Sequence, residues 1–166
     1  FDFYDGGGVD VAFLGLAQTD RFGNINVSKF GTKITGCGGF INITQTCKKA
    51  VFCGTFTADG LQTEIKNNTL AIIREGRSKK FISAVEQVTF SGSYAAAHDQ
   101  PVLYITERAV FRLTSEGLEL IEVAPGIDIE RDVLQQMDFR PIMKNVTMMN
   151  PAIFQEKWGG LANLLK

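Results

Sequence analysis

Gly36-Cys37-Gly38-Gly39-Phe40 sets three glycines between a strand-like stretch and a helix-like one, and any chemistry such a run performs falls to main-chain amides rather than side chains. Glycine has no Cβ, so it tolerates positive φ and lets a ligand approach the backbone closely. The first amides of a helix lack internal partners and point outward as donors. A loop of this kind can hold an anion, or receive the oxygen of an acyl group as that oxygen becomes negative. The spacing departs from the dinucleotide fingerprint, whose third glycine would fall at position 41, here Ile41. It also lacks the Gly-Lys-Ser/Thr ending of the phosphate loop. Taken alone, the run reads as a structural turn or as a ligand-facing amide nest.

Other chemistry-bearing residues are sparse. The single histidine, His98, lies in the polar stretch Ala97-His98-Asp99-Gln100 and reads as a surface residue rather than a general base. Cys37, Cys47 and Cys53 make neither a CxxC pair nor an even disulfide framework, so reduced, mostly buried thiols are expected and no metal site. Cys37 has no base beside it in sequence to activate a thiolate, and small-residue packing is its expected role. Lys48 and Lys49 suit the end of a helix, with contact to phosphates the alternative. Trp158 and the methionines Met143, Met148 and Met149 read as packing or subunit contact.

The elements that must hold the glycine run follow from pattern. After Gly6-Gly7-Gly8, the nearly continuous apolar stretch 9–17 predicts a central strand of a parallel sheet, buried on both faces. Residues 18–24 carry turn chemistry ahead of a short strand at 25–27. Phe40, Ile43, Cys47 and Ala50 are close to helical spacing, which predicts a helix over 40–50 ending at the two lysines. The apolar run 50–56 follows, so strand, glycine turn, helix and strand succeed one another as in a βαβ unit. Alternation over 61–76 about Asn67-Asn68 predicts an antiparallel hairpin. Strands are expected at 85–90, 102–106, 109–113 and 118–122, with a turn at 115–117, and a short amphipathic helix at 128–137. The fold class is therefore α/β: a mainly parallel sheet flanked by helices with an added antiparallel ribbon. Residues 1–141 make the domain; 142–166, broken by Pro151 and Gly159-Gly160, make an irregular tail.

Composition sets the outer bounds. With 166 residues and 45% hydrophobic content, the chain can fill one domain core. Its 17 basic and 18 acidic residues are balanced and unclustered, so no nucleic-acid partner is expected. No apolar run reaches the roughly 20 residues of a membrane helix. A cytoplasmic protein without a membrane partner is the reading, and the Asn-x-Ser/Thr triplets at Asn26, Asn42, Asn67 and Asn145 are treated as chance. The chain opens on Phe1 with residues that already read as mid-domain, so an upstream portion is expected to be missing, and a signal peptide would be invisible.

Several ordered stretches also carry a family resemblance. Val11-Ala12-Phe13-Leu14-Gly15-Leu16-Ala17-Gln18, Gly23-Asn24-Ile25-Asn26, Ile34-Thr35-Gly36-Cys37-Gly38-Gly39-Phe40 and Lys49-Ala50-Val51-Phe52 resemble the second half of a family I coenzyme A transferase. So do residues 102–111 and 124–134. The resemblance covers about residues 3–141 and is nearest to the single-chain bacterial acetate/propionate type.

It implies an α/β half of the NagB/RpiA-like kind, in a homo-oligomeric enzyme that uses no metal or organic cofactor and takes CoA as substrate. CoA would move between short-chain acids such as acetate, propionate or acetoacetate, the last linking it to ketone-body chemistry. The covalent intermediate would be a glutamyl-CoA thioester, which splits one hard exchange into easier steps. Carried over residue by residue, the resemblance makes the Gly38 amide the oxyanion donor, with Gly36 and Gly39 beside it. Gln18 and Asn26 would face the acyl or pantetheine region or else brace a turn. The family's nucleophile sits in Glu-x-Gly, which is absent here; Glu75-Gly76 and Glu116-Gly117 have the wrong spacing. The glutamate is therefore expected from the missing N-terminal portion, and these residues alone should not turn over. Two rivals stand: an acyl-CoA hydrolase on the same fold, and a non-catalytic CoA-binding or assembly domain.

Overall fold

Aromatic side chains from five separate stretches of the chain meet on one face of a single sheet, and that meeting organises everything else. The computed structural model describes residues 1–164. In chain order its strands are β1 (Ala12–Gly15), β2 (Gln18–Thr19), β3 (Ile25–Asn26), β4 (Lys29–Phe30), β5 (Lys33–Ile34), β6 (Ala50–Cys53), β7 (Thr57–Ala58), β8 (Gln62–Lys66), β9 (Thr69–Arg74), β10 (Ser78–Lys79), β11 (Val102–Ile105), β12 (Ala109–Thr114), β13 (Gly117–Val123) and β14 (Thr147–Met148). The α-helices are α1 (Asp2–Asp5), α2 (Phe40–Thr46), α3 (Gly92–Ala97) and α4 (Leu161–Leu164).

The main sheet runs β1-β6-β11-β12-β13-β14. β1, β6 and β11 are mutually parallel, β12 is antiparallel to both β11 and β13, and β14 is parallel to β13, so in this mixed α/β sheet every strand but β12 runs in one direction, mainly parallel as expected. The registers Leu14↔Phe52 and Phe52↔Tyr104, continued by Tyr104↔Phe111 and Phe111↔Leu120, put these residues in one row on one face. Phe52 stacks on Phe40 at 5.7 Å and meets Phe90 and Tyr104 at 5.0 and 5.5 Å, while Phe81 lies 4.6 Å from Phe56 and 4.9 Å from Phe111. Such rings bury large apolar areas and add pairwise ring contacts. On the opposite face, Val110 packs with Leu70 of β9, Met149 and Phe154 in a second cluster.

The hairpin β8–β9 forms as the alternation predicts, and Asn67 and Asn68 take φ of 53° and 61°, the left-handed pair that a two-residue turn requires. The strands at 102–105, 109–114 and 117–123 are also where the pattern puts them. Other expectations need correction. The run 9–17 forms an edge strand, not a central one: β1 pairs only with β6 among the described residues, and Phe13 is 71% exposed. α2 ends at Thr46, short of the lysines, and Lys48 instead pairs with Asp10 at 2.7 Å. Residues 85–90 form no strand; only Phe90 bridges, to Ile25. The predicted helix at 128–137 is a π-helical turn, Ile129–Val133, capped by the Asp128 carboxylate and running into the 3₁₀ turn Leu134–Gln136. Segment 142–166, expected to be irregular, supplies β14 and a 3₁₀ turn at Pro151–Phe154 capped by Asn150; residues 165 and 166 lie outside the described residues.

One buried charge ties these parts together. The fully buried Arg108, in the turn between β11 and β12, donates to Glu75 at 2.6 and 3.1 Å, to Glu107 at 2.6 Å and to the Asp132 carbonyl at 3.0 Å, with its guanidinium 5.0 Å from the centre of the Phe56 ring. Burial pushes the Glu75 carboxyl up, but hydrogen bonds from Arg108 and Thr57 outweigh it and hold the group below the usual 4.5. Removing one member of such a cluster strands the others. Arg108→Met is expected to cost about 3–5 kcal/mol in denaturant unfolding at pH 7. A depressed carboxyl contributes stability above its unfolded value and loses it as pH falls through the folded one. The gap between wild type and Arg108→Met should therefore narrow as pH drops below 4.5, and a gap independent of pH would show that Glu75 does not depend on this contact.

Candidate functional site

β1 and β6 run parallel and end side by side, and the chain leaving each one frames a cavity of about 500 Å³. Leu16, Ala17 and Gln18 follow β1; Phe30 comes from β4, Ala58 and Asp59 from β7 and its exit, Ser78 to Lys80 from β10 and its exit, and Glu86 from the loop beyond. The carboxyl ends of parallel strands are where open α/β sheets bind ligands, because connecting loops diverge there and leave a crevice.

Gln18 and Asn26 face each other across the β2–β3 pair. Asn26 is fully buried. Its Nδ2 donates to Gln18 Oε1 and to the Lys29 carbonyl, both at 2.6 Å, while its Oδ1 accepts from the Ser28 and Lys29 amides at 3.0 and 3.2 Å. All of its polar atoms are thus spent on the turn into β4. Gln18 is half-buried and lines the cavity, donating to Glu86 at 2.9 Å. Glu86 also accepts from the Gly31 amide, and hydrogen bonds from Gln18 and Gly31 draw its carboxyl below the ordinary value. Gln18 therefore links the cavity wall to the brace that sets the β4–β5 ribbon.

That ribbon leads into the glycine run. The Ser28 carbonyl accepts from the Thr35 and Gly36 amides at 2.9 and 3.1 Å, pinning the entry, and the Cys37 carbonyl accepts from Phe40 at 3.0 Å, closing the turn into α2. Gly36 and Gly38 adopt φ of 78° and 54°, and a Cβ at either would meet nothing within 4 Å. Their glycine identity answers to backbone conformation, not to crowding. Gly39 caps α2 with φ −85°. Among the described residues, the amides of Cys37, Gly38 and Gly39 have no hydrogen-bond acceptor, and the loop is open to solvent.

The remaining candidates separate cleanly. His98 stacks on Tyr94 at 4.0 Å and its Nδ1 meets the Tyr94 carbonyl at 2.8 Å, at the exposed end of α3. All three cysteines are free, but only Cys47 is buried; Cys37 and Cys53 are exposed, contrary to the expectation of mostly buried thiols. Met149 and Phe154 pack in the second cluster, whereas Met148 is exposed.

Sequence reasoning passed over Lys80. It is only 8% exposed and lines the cavity beside Glu86 and Gln18. The Lys79-Lys80 doublet looks like surface charge, and nothing local marks the second lysine as inward. Their fates differ because Lys79 turns out to Asp138, at 2.9 Å, while Lys80 lies between β2, whose Thr19 amide its carbonyl accepts at 2.8 Å, and the buried Phe81.

No protein-family model matches the chain. The chain is 54% identical to the caffeate CoA-transferase of Acetobacterium woodii, over 99% of its own length and 32% of the relative's. It is 51% identical to the acetate CoA-transferase YdiF of Escherichia coli K12, over 93% of its length and 29% of that protein's. The crystal structure of the acyl-CoA transferase YdiF of E. coli O157:H7, as a thioester complex with CoA, superposes with a TM-score of 0.94 at 49% identity, covering 96% of this chain and 31% of that one. The chain thus spans about a third of the length of the relatives it matches. Identity near one half, sustained along nearly all of these residues and matched by the fold, is far beyond what a shared architecture alone produces. Over the part of those proteins that it spans, the chain belongs to the family I CoA-transferases.

Proposed function

We propose that the protein carrying this chain is an acyl-CoA:carboxylate CoA-transferase acting on short-chain acids such as acetate, propionate or acetoacetate. The observation that carries this reading is identity of 51–54% to an acetate and a caffeate CoA-transferase across at least 93% of the chain. In this reading a glutamate outside these 166 residues attacks the acyl-CoA carbonyl, displaces CoA thiolate and forms an acyl-glutamyl anhydride. The thiolate then attacks the glutamyl carbonyl, giving a glutamyl-CoA thioester and releasing the first acid. A second carboxylate repeats the sequence in reverse. A relative captured as a thioester complex with CoA supports the covalent intermediate.

Each carbonyl attack passes through a tetrahedral oxyanion, and the chain's contribution is a set of fixed donors. The unpartnered amides of Cys37, Gly38 and Gly39 suit that role, with Gly38 the central donor and Gly36 setting the approach. Gln18 meets the acyl or pantetheine portion directly, and Asn26 acts through Gln18. No metal or organic cofactor takes part, CoA being a substrate. A homo-oligomer in the cytoplasm belongs to the same reading; among the described residues no helix is long and apolar enough to cross a membrane.

The full-length protein tests this. With acetyl-CoA and propionate it should form propionyl-CoA without net release of free CoA; release that proceeds equally without propionate would make it a hydrolase and defeat the transferase reading. Gly38→Ala places a side chain at φ 54°, where an L residue is strained by roughly 1–2 kcal/mol, so the loop must either bear that strain or turn its amide. Since a Cβ there meets open space, kcat should fall by about 10²–10³, the scale for losing one oxyanion donor, while the thermal midpoint moves little. Unchanged kcat would remove Gly38 from the chemistry.

A further inference from the structure

The cavity at the ends of β1 and β6 holds a charge that the described residues do not neutralise. Lys80 is 8% exposed as a residue and lines the cavity; among the described residues its Nζ makes no ion pair, and it keeps access to the cavity, since the one fully enclosed side-chain atom without a partner is Thr19 Oγ1. Burial draws its pKa down, and the charge of Glu107 only partly offsets this. Glu107 is itself committed to Arg108 at 2.6 Å and to the Phe56 amide at 2.8 Å. The carboxylates in the cavity wall are committed as well: Asp59 accepts from the Ser78 hydroxyl, and Glu86 from Gln18 and the Gly31 amide. Neither lies within ion-pair distance of Lys80.

The fold makes room for this ammonium. Gly54, the residue after β6, has no positive φ that would call for glycine, but a Cβ there would lie 2.9 Å from Lys80 Nζ and 3.0 Å from the Leu16 carbonyl. Glycine at 54 therefore answers to the close approach of the Leu16 main chain, with the Lys80 head group filling the space beside it. An ammonium on a largely buried side chain keeps only part of its hydration, and an anion that enters the cavity to pair with it offsets that loss. Beside the ammonium the walls are apolar, from Leu16, Ala17, Phe30 and Ala58.

We propose that this cavity binds a small monocarboxylate, its carboxylate on Lys80 and its apolar tail against Leu16, Ala17 and Phe30. That the bound acid is the acid released by, or the acid accepting, CoA transfer rests on the function proposed above; the site itself does not. From Phe30 in the cavity wall the chain continues through the β4–β5 ribbon into the glycine run.

Saturation-transfer NMR of propionate with the full-length protein is the test. Wild type should bind saturably and at least tenfold more tightly than it binds propionamide, the uncharged isostere. Lys80→Met should weaken propionate at least tenfold and erase the preference over propionamide, with a thermal midpoint no lower than wild type, because an apolar chain replaces an unpaired cation. Gly54→Ala, whose Cβ would crowd the same ammonium and the Leu16 carbonyl, should weaken propionate in parallel, and Lys144→Met, at an exposed lysine outside the cavity, should change it less than twofold. Equal propionate affinity in wild type and Lys80→Met, no preference over propionamide, or no saturable binding would overturn the site. CoA exchange is measured on the same wild-type sample. Lys80-dependent binding without exchange would remove the transferase function and keep the site, whereas exchange with Lys80-independent binding would do the reverse.

Discussion

Arg108 is the constraint on which the rest of the structure hangs. A guanidinium taken out of water demands that its donors be met in fixed directions, because its planar fork cannot adapt as an ammonium can. Here those directions lead to the end of β9 through Glu75, to its own turn through Glu107, and to the π-helical turn through the Asp132 carbonyl. Glu107 then uses its second oxygen to hold the Phe56 amide, which seats Phe56 against Phe81 and Phe111. A buried ion cluster of this kind is a poor source of net stability, since desolvation cancels much of its attraction. What it supplies is position: it sets where the segment from Gly54 to Asp59 runs, and that segment is one wall of the cavity. The same Glu107 carboxylate partly offsets the burial of Lys80 without forming an ion pair with it.

How far this was legible in the sequence depended on whether a signal was local. The β8–β9 hairpin was readable because alternation and an Asn-Asn turn are both encoded within a dozen residues, and the structure uses both. β11, β12 and β13 were readable for the same reason. The position of β1 was not. An apolar run states that both faces avoid water, but not how many strands lie beside it, and Phe13 is exposed on a strand whose sequence looks wholly interior. At 128–137 the apolar spacing indicated a helix and the Asp128 cap was present, yet the bonds of Asp132 to Arg131 and to the Asp128 amide, with its carbonyl taken by Arg108, accompany a widened π turn. The short helix α3 carried a signal that went unread: Ser91 as cap before an alanine run.

The site divides along the same line. Glycine needed for φ is visible in sequence, and Gly36 and Gly38 have the left-handed backbone that motivates reading the loop as a donor nest. Asparagine before a turn is also visible, and Asn26 braces β4 with every polar atom it has. Burial of Lys80 is not visible, because it is decided by which of two adjacent lysines finds an external carboxylate. Lys79 has Asp138, distant in sequence, and that pairing leaves Lys80 facing inward. Gly54 carried a complementary clue, a glycine without a turn, but its meaning lies in close contacts with Leu16 and Lys80 that no window of sequence contains.

Under the proposed function, two kinds of donor on one chain suit a reaction with two kinds of anion. A carboxylate is charged before any bond changes, so a fixed cation that meets it lowers its desolvation cost and sets its direction. A tetrahedral oxyanion exists only in passing, and donors aimed at it should not hold the ground state equally well, or they would raise affinity without raising rate. Backbone amides on a rigid turn meet that condition: they carry no net charge to attract a free carboxylate strongly, and their positions are set by the φ of Gly36 and Gly38 rather than by a mobile side chain. Under the proposed function, Lys80 is the group for the standing charge and the Cys37–Gly39 amides are the group for the transient one. The separation is enforced by covalent structure, since the amides belong to a loop pinned by Ser28, while the ammonium is held in the space left by a glycine at the end of β6.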